Sequence, residues 1–197
     1  IYIGHIPGEG SLALTGVGVC LPIIMIVSAF AALVSSGGAP RASIYMGKQD
    51  NDSAEQILGN CFSLQIVVSL FLTVILLIFG KDLLLAFGAS ENTIGYATDY
   101  MRIYAFGTLF VQLTLGMNAF VTAQGFTKIS MFSVLIGAIC NIVLDPVFIF
   151  GFHMGVKGAA LATVLSQAIS TIWVVLFLCG RKTQIRLRKA CLLLKAK

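Results

Sequence analysis

The chain alternates between long apolar runs and short polar links. Five runs, at positions 12–34, 57–79, 94–121, 129–150 and 158–178, each reach the roughly 20 residues a helix needs to cross the hydrocarbon of a bilayer. The links between them, at 35–56, 80–93, 122–128 and 151–157, are polar or rich in turn residues. The pattern predicts an all-α integral membrane protein, a polytopic bundle of five spans. Ser53 followed by Gln56 predicts a capping box that opens the second span.

Composition agrees with the pattern. Of 197 residues, 58% are hydrophobic and 11% are charged, against roughly a quarter charged in soluble domains. The net charge of +5 is uneven, with about half of the Lys and Arg in "GRKTQIRLRKACLLLKAK" at the C-terminus. Such a tail suits an anionic membrane face better than a nucleic acid. It reads as a basic amphipathic segment on the inner leaflet or as a solvated linker. Basic residues gather on the cytoplasmic side of membrane proteins. Arg41, Lys48, Lys128 and the tail fall on one side, and Lys81, Arg102 and Lys157 on the other. The expected topology has the N-terminus outside and residues 181–197 in the cytoplasm, in a cell's inner (plasma) membrane. The first residue is Ile, and "IYIGHIPGEG" lacks a signal-peptide layout, so the chain is expected to begin inside a longer protein; an odd number of spans starting outside implies one preceding span.

Several chemistries find no support. Four of the five cysteines lie within apolar runs without a CxxC pair, where they serve as small hydrophobes. His5 and His153 are isolated, and no phosphate-binding G-x-x-x-x-G-K-[ST] loop occurs. No enzyme, cofactor or ATP-driven pump is predicted.

Polar residues inside the spans fall into lines. Ser133, Gly137, Asn141 and Asp145 recur every four residues and share one face of the fourth helix. Thr163, Gln167 and Thr171 form a stripe on the fifth, beside Gly158, Ala162, Ser166 and Ser170. Small and hydroxylated residues let spanning helices approach and bond. Counting outward from Met154 at the centre of the link sets Asp145 level with Thr163, and Asn141 level with Gln167. On the third helix, Asp99 and Arg102 are one turn apart and predict a local ion pair. Tyr100 and Asn118 are polar points further along it. Pro22 is expected to bend the first helix.

The segment "NIVLDP" carries the sharpest signal. An ionised Asp at the centre of a spanning helix costs on the order of 2.5–3.5 kcal/mol, so such residues face the bundle interior and mark ion or proton paths. Pro146 lacks an N–H, which leaves the Ile142 carbonyl without its helical partner. Asp145, Asn141, Thr163 and that carbonyl make an all-oxygen set suited to Na⁺, or to a proton held on the carboxylate. Two blander readings stay open. "DP" can start a new helix, with Asp145 as N-cap and Pro146 at N1, or Asp145 can form an interhelical hydrogen bond.

Four blocks, "GGAPRASIYMGKQDNDSAEQILGN", "LLLAFGAS", "LGMNAFVTAQG" and "NIVLDPVFIFGFHMGVKGAALATVLSQ", resemble the multidrug and toxic compound extrusion (MATE) transporters. The prokaryotic branch related to the DNA-damage-inducible F transporters looks closest, through Asn141 and Asp145. The resemblance implies helices 2–6 of a six-helix N-lobe, with a first helix carrying a partner carboxylate and a second lobe outside this chain. It implies export of small organic cations by exchange with Na⁺ or H⁺. It assigns Asn141, Asp145 and Thr163 to a cation site, and Tyr100 and Asn118 to the adjoining cavity; Gln167, level with Asn141, joins them. Two rival expectations remain: a flippase for lipid-linked oligosaccharides, which needs a basic cavity where these spans offer only Arg102, and a membrane scaffold without transport.

Overall fold

A computed structural model describes residues 2–5, 10–180 and 182–188. After a short 3-10 turn at Tyr2–His5 come α1 (Gly10–Gly47), α2 (Asn51–Ala86), α3 (Ile94–Ala123), α4 (Thr127–Pro146), a π turn (Val147–Gly151) and α5 (Gly155–Cys179). Among the described residues, five helices are long and apolar enough to cross a membrane. Short connections make successive helices antiparallel. Residues 48–50 and 124–126 turn at one end, here the lower end, and residues 87–93 and 152–154 at the upper end.

The helices overrun the apolar runs. The expected link at 35–56 shrinks to residues 48–50, because α1 continues through "SSGGAPRASIYMG". Gly and Pro there resemble turn signals, but the small residues serve packing. Gly38, Ala39 and Ala42 are buried, and a Cβ on Gly38 would press on Cys61 Sγ and Phe120 Cζ. Pro22 and Pro40 both lie within one continuous α1. The expected capping box is absent. Asp50 is the N-cap of α2, its carboxylate accepting from the Ser53 N–H at 3.1 Å, and Ser53 lies in the first turn.

The third helix is the axis of the bundle. It buries Tyr100, Tyr104, Thr108, Gln112 and Met117 along its length and packs on α1, α2 and α5. Amide side chains tie it and α2 to α1. Gln112 Nε2 donates to the Val27 carbonyl at 2.8 Å, and Gln65 Nε2 to the Ala31 carbonyl at 3.1 Å, one turn along. Above them the core is Ile23, Leu76, Met101 and Tyr104; below, Leu58, Phe120, Val174 and Leu178.

The fourth helix is peripheral. It leans mainly on α5, buries only Ser133 and Gly137, and turns Phe132, Ile139, Ile142 and Val143 outward. Pro146 closes its α-helical part without starting a new helix. The Val147 N–H bonds the Leu144 carbonyl, and the chain then widens, with Phe152 N–H reaching the Val147 carbonyl at 3.0 Å. The chain after the proline thus continues as a π turn, a local widening common at functional positions. Asp99 does not pair with Arg102 but with Lys157, at 3.5 Å, linking the upper ends of α3 and α5.

Candidate functional site

The polar stripes of α4 and α5 do meet. Gly137 lets the helices touch, since a Cβ there would stand 2.5 Å from Ser170 Oγ. The Ser170 hydroxyl donates to the Ser133 carbonyl at 2.9 Å. On its other side α5 is bonded to α3. Thr114 and Thr171 share a hydroxyl–hydroxyl bond of 2.7 Å, and the Thr171 hydroxyl also reaches the Phe110 carbonyl at 3.0 Å.

Near the upper third of this seam, four of the predicted residues come close together. Asn141 Nδ2 donates to Thr163 Oγ1 at 3.4 Å, and Thr163 donates its own proton to the Ala159 carbonyl at 2.9 Å. With its proton so used, the Thr163 oxygen is the acceptor of the Asn141 amide. Tyr100 of α3 is buried and lies beside the Thr163 side chain, with Asp145 across the same space. Asp145 lies one turn above Asn141 on the same face of α4. Its Oδ1 is buried and has no hydrogen-bond partner.

The pairing register differs from the expectation. Asn141 faces Thr163, not Gln167, and Asp145 stands nearer the upper link than Thr163 does. The count about Met154 assumed α-helical rise throughout, but the π turn uses residues without an equal advance along the axis.

Below Asn141 and Thr163 opens a cleft of about 300 Å³ between α3, α4 and α5, lined by Thr114, Ala138, Asn141, Thr163, Ser166 and Gln167 among others. Gln167 therefore joins the cavity, and its Oε1 is buried and unpartnered. Among the described residues, no Lys, Arg, Asp or Glu lines this cleft. Asn118 is not brought to the same place as Tyr100. Eighteen residues separate them along α3, about 27 Å at about 1.5 Å per residue. Asn118 sits near the lower end, its Nδ2 3.4 Å from the Ser130 carbonyl and its Oδ1 buried without a partner. Thr114, one turn above Asn118, was missed as a cleft residue; a lone Thr in an apolar run gives little signal.

The donor set fits a hard cation. A carboxylate, an amide and a hydroxyl whose proton is turned away offer oxygen ligands, and an orphaned carboxylate oxygen asks for a proton or a cation. Among the described residues, no group of three or more His, Cys, Asp or Glu could hold a metal ion, which leaves a soft-metal centre without donors.

A bundle of long apolar helices around an internal polar seam, with one carboxylate inside it, has the architecture of a polytopic membrane transporter lobe. The MatE family profile matches residues 1–147, and the chain belongs to that family of multidrug efflux transporters. It is 32% identical over 176 residues to the multidrug export protein MepA of Staphylococcus haemolyticus, covering 89% of this chain and 38% of that one. To MepA of Staphylococcus aureus strain MRSA252 it is 29% identical, covering 39% of that chain. The chain thus spans about two-fifths of the curated relatives it matches. Among solved structures it superposes on the inward-facing conformation of a multidrug resistance MATE family transporter of the MOP superfamily with a TM-score of 0.89. That match has 26% identity and covers 94% of this chain and 42% of that one. A MOP superfamily transporter from Pyrococcus furiosus, described as having a binding pocket of reverse polarity that suggests a different function, superposes with a TM-score of 0.87. Its identity is 25%, over 96% of this chain and 41% of that one.

Proposed function

We propose that the transporter to which this chain belongs exports small organic cations by antiport with Na⁺ or H⁺, and that Asp145, Asn141 and Thr163 hold the coupling ion. The observation that carries this reading is the buried, unpartnered Asp145 Oδ1, one turn from an Asn141–Thr163 pair. When Na⁺ or a proton binds Asp145, the charge beside Tyr100 is neutralised, and the π turn after Pro146 is the pliable point at which α4 adjusts. Gln167 and Tyr100 border the cargo path, and Asn118 borders its lower end. The proposed orientation keeps the upper end outside and the lower end, with residues 181–197, in the cytoplasm. The presence of both Asn141 and Asp145 supports a position near the DNA-damage-inducible F branch. A first helix and a second lobe would complete the transporter.

Similar folds carry different cargo, so pocket polarity is what discriminates. A flippase for lipid-linked oligosaccharides needs cations to hold pyrophosphate, and among the described residues no Lys or Arg lines the cleft. The neutral, hydroxyl-rich lining with a carboxylate one turn away favours organic cations instead.

The test is Asp145→Asn in the full-length transporter. At least tenfold loss of Na⁺- or H⁺-driven efflux, with an unchanged amount in the membrane, is expected. Wild-type efflux would rule out Asp145 as the coupling residue.

A further inference from the structure

Glu55 lies in the first turns of α2, within a stretch that reads as a polar link, yet it is only 3% exposed. Both of its carboxylate oxygens are committed to the chain that leaves α5. Oε1 accepts from the Arg186 backbone N–H at 3.0 Å, and Oε2 receives Arg188 Nε at 2.8 Å. A second acceptor stands beside it. Gln124, immediately after α3, directs Oε1 at two successive backbone N–H groups, those of Gln184 at 3.0 Å and Ile185 at 3.2 Å. Its own Nε2 is held by the Phe120 carbonyl at 3.3 Å. Between the two acceptors, Ile185 is fully buried in the lower core with Leu58, Phe120 and Leu178. The Leu187 N–H closes the arrangement on the Leu178 carbonyl at 3.0 Å.

Residues 182–188 have no helix or strand of their own. Three of their backbone N–H groups are instead met by side chains from α2 and the end of α3. A segment without internal hydrogen bonds holds one path only where its surroundings supply the partners. A carboxylate buried at the foot of a spanning bundle is costly without compensation, and here the strap supplies the compensation.

We propose that Glu55 and Gln124 form a clamp for residues 184–188. Ile185 acts as a stopper that closes the lower end of the crevice between α2, α3 and α5, and the clamp fixes the direction in which the chain departs beyond Arg188. The strap thereby joins the lower ends of α2 and α3 to whatever follows α5. For those ends to separate, the strap must let go of either Glu55 or Gln124. The device is independent of which cation or cargo is carried.

Trypsin cleavage tests it. The bond after Arg186 lies inside the strap, and cleavage there requires local release of the segment. In the full-length protein in detergent, Glu55→Gln and Gln124→Leu are each expected to raise cleavage after Arg186 roughly tenfold. Cleavage after Lys48, in the α1–α2 connection at the same end, is expected to stay unchanged. Wild-type protection of Arg186 in both variants would overturn the clamp. If both cut sites accelerate together, Arg188→Gln decides, because it removes the ion pair from the exposed side and leaves the core intact. A selective rise at Arg186 then supports the clamp, and no selective rise overturns it.

Discussion

Thr163 receives a hydrogen bond from the Asn141 amide at 3.4 Å while its own proton goes to the Ala159 carbonyl at 2.9 Å. The hydroxyl is therefore a fixed acceptor, at the point where α3, α4 and α5 come together. Thr163→Val keeps the shape and deletes the acceptor, whereas Thr163→Ser keeps the acceptor. The valine variant is expected to lose at least tenfold in coupled efflux, about 1.4 kcal/mol. The serine variant should stay within a few-fold of wild type. Efflux assays at matched membrane levels check it; equal losses in both variants would assign Thr163 to packing.

Gly158 places α5 directly against the π turn. A Cβ there would lie 2.8 Å from both the carbonyl carbon and the oxygen of Phe148, and the obstruction is backbone that cannot swing aside. Gly158→Ala is expected to destabilise the α4–α5 hairpin by roughly 1–3 kcal/mol. Gly95, with no atom within 4 Å of its would-be Cβ, should accept Ala with a change of less than ~1 kcal/mol in either direction. Thermal unfolding in detergent compares the two, and an equal drop would contradict the close approach.

The Asp99–Lys157 pair invites a stability role that its setting does not support. Its side chains are 43% and 55% exposed and 3.5 Å apart, and exposed pairs contribute roughly 0–1 kcal/mol. Lys157→Gln is expected to leave the thermal midpoint within about a degree of wild type at 0.15 M salt. A large fall would mean that the bilayer interface dehydrates the pair.

The five helices were legible because spanning helices must be long and apolar, and nothing else in the sequence competes with that signal. The facing stripes on α4 and α5 were legible for a related reason: Gly137, Ser166 and Ser170 are spaced so that small residues repeat each turn. What stayed hidden was set by tertiary contact. Gly38 and Ala39 look like link residues, and only their burial against Cys61 and Phe120 shows that α1 continues past them. The pairing of Asn141 with Thr163 depends on a π turn, which no residue pattern announces. Asp99 had an obvious local partner in Arg102 and bonds a residue 58 positions away instead. Glu55 falls in the expected link at 35–56, and its burial is not legible there because its partners lie more than 130 residues further along the chain.

Gln167 allows a sharper division between holding the fold and meeting the cargo. Its side chain lines the α3–α4–α5 cleft, and its Oε1 is buried without a partner. A buried acceptor left unsatisfied costs about 1–3 kcal/mol, so an apolar residue of similar size should not weaken the bundle. Gln167→Leu is expected to match or slightly exceed wild-type thermal stability. If the oxygen is kept free for a cationic cargo, the same variant should bind that cargo about tenfold more weakly, or ~1.4 kcal/mol. Fluorescence binding of a lipophilic organic cation to purified full-length protein, read beside the melting curve, separates the outcomes. Weaker binding with an intact melt identifies Gln167 as a cargo contact. A lowered melt with unchanged affinity identifies it as part of the packing between α3 and α5.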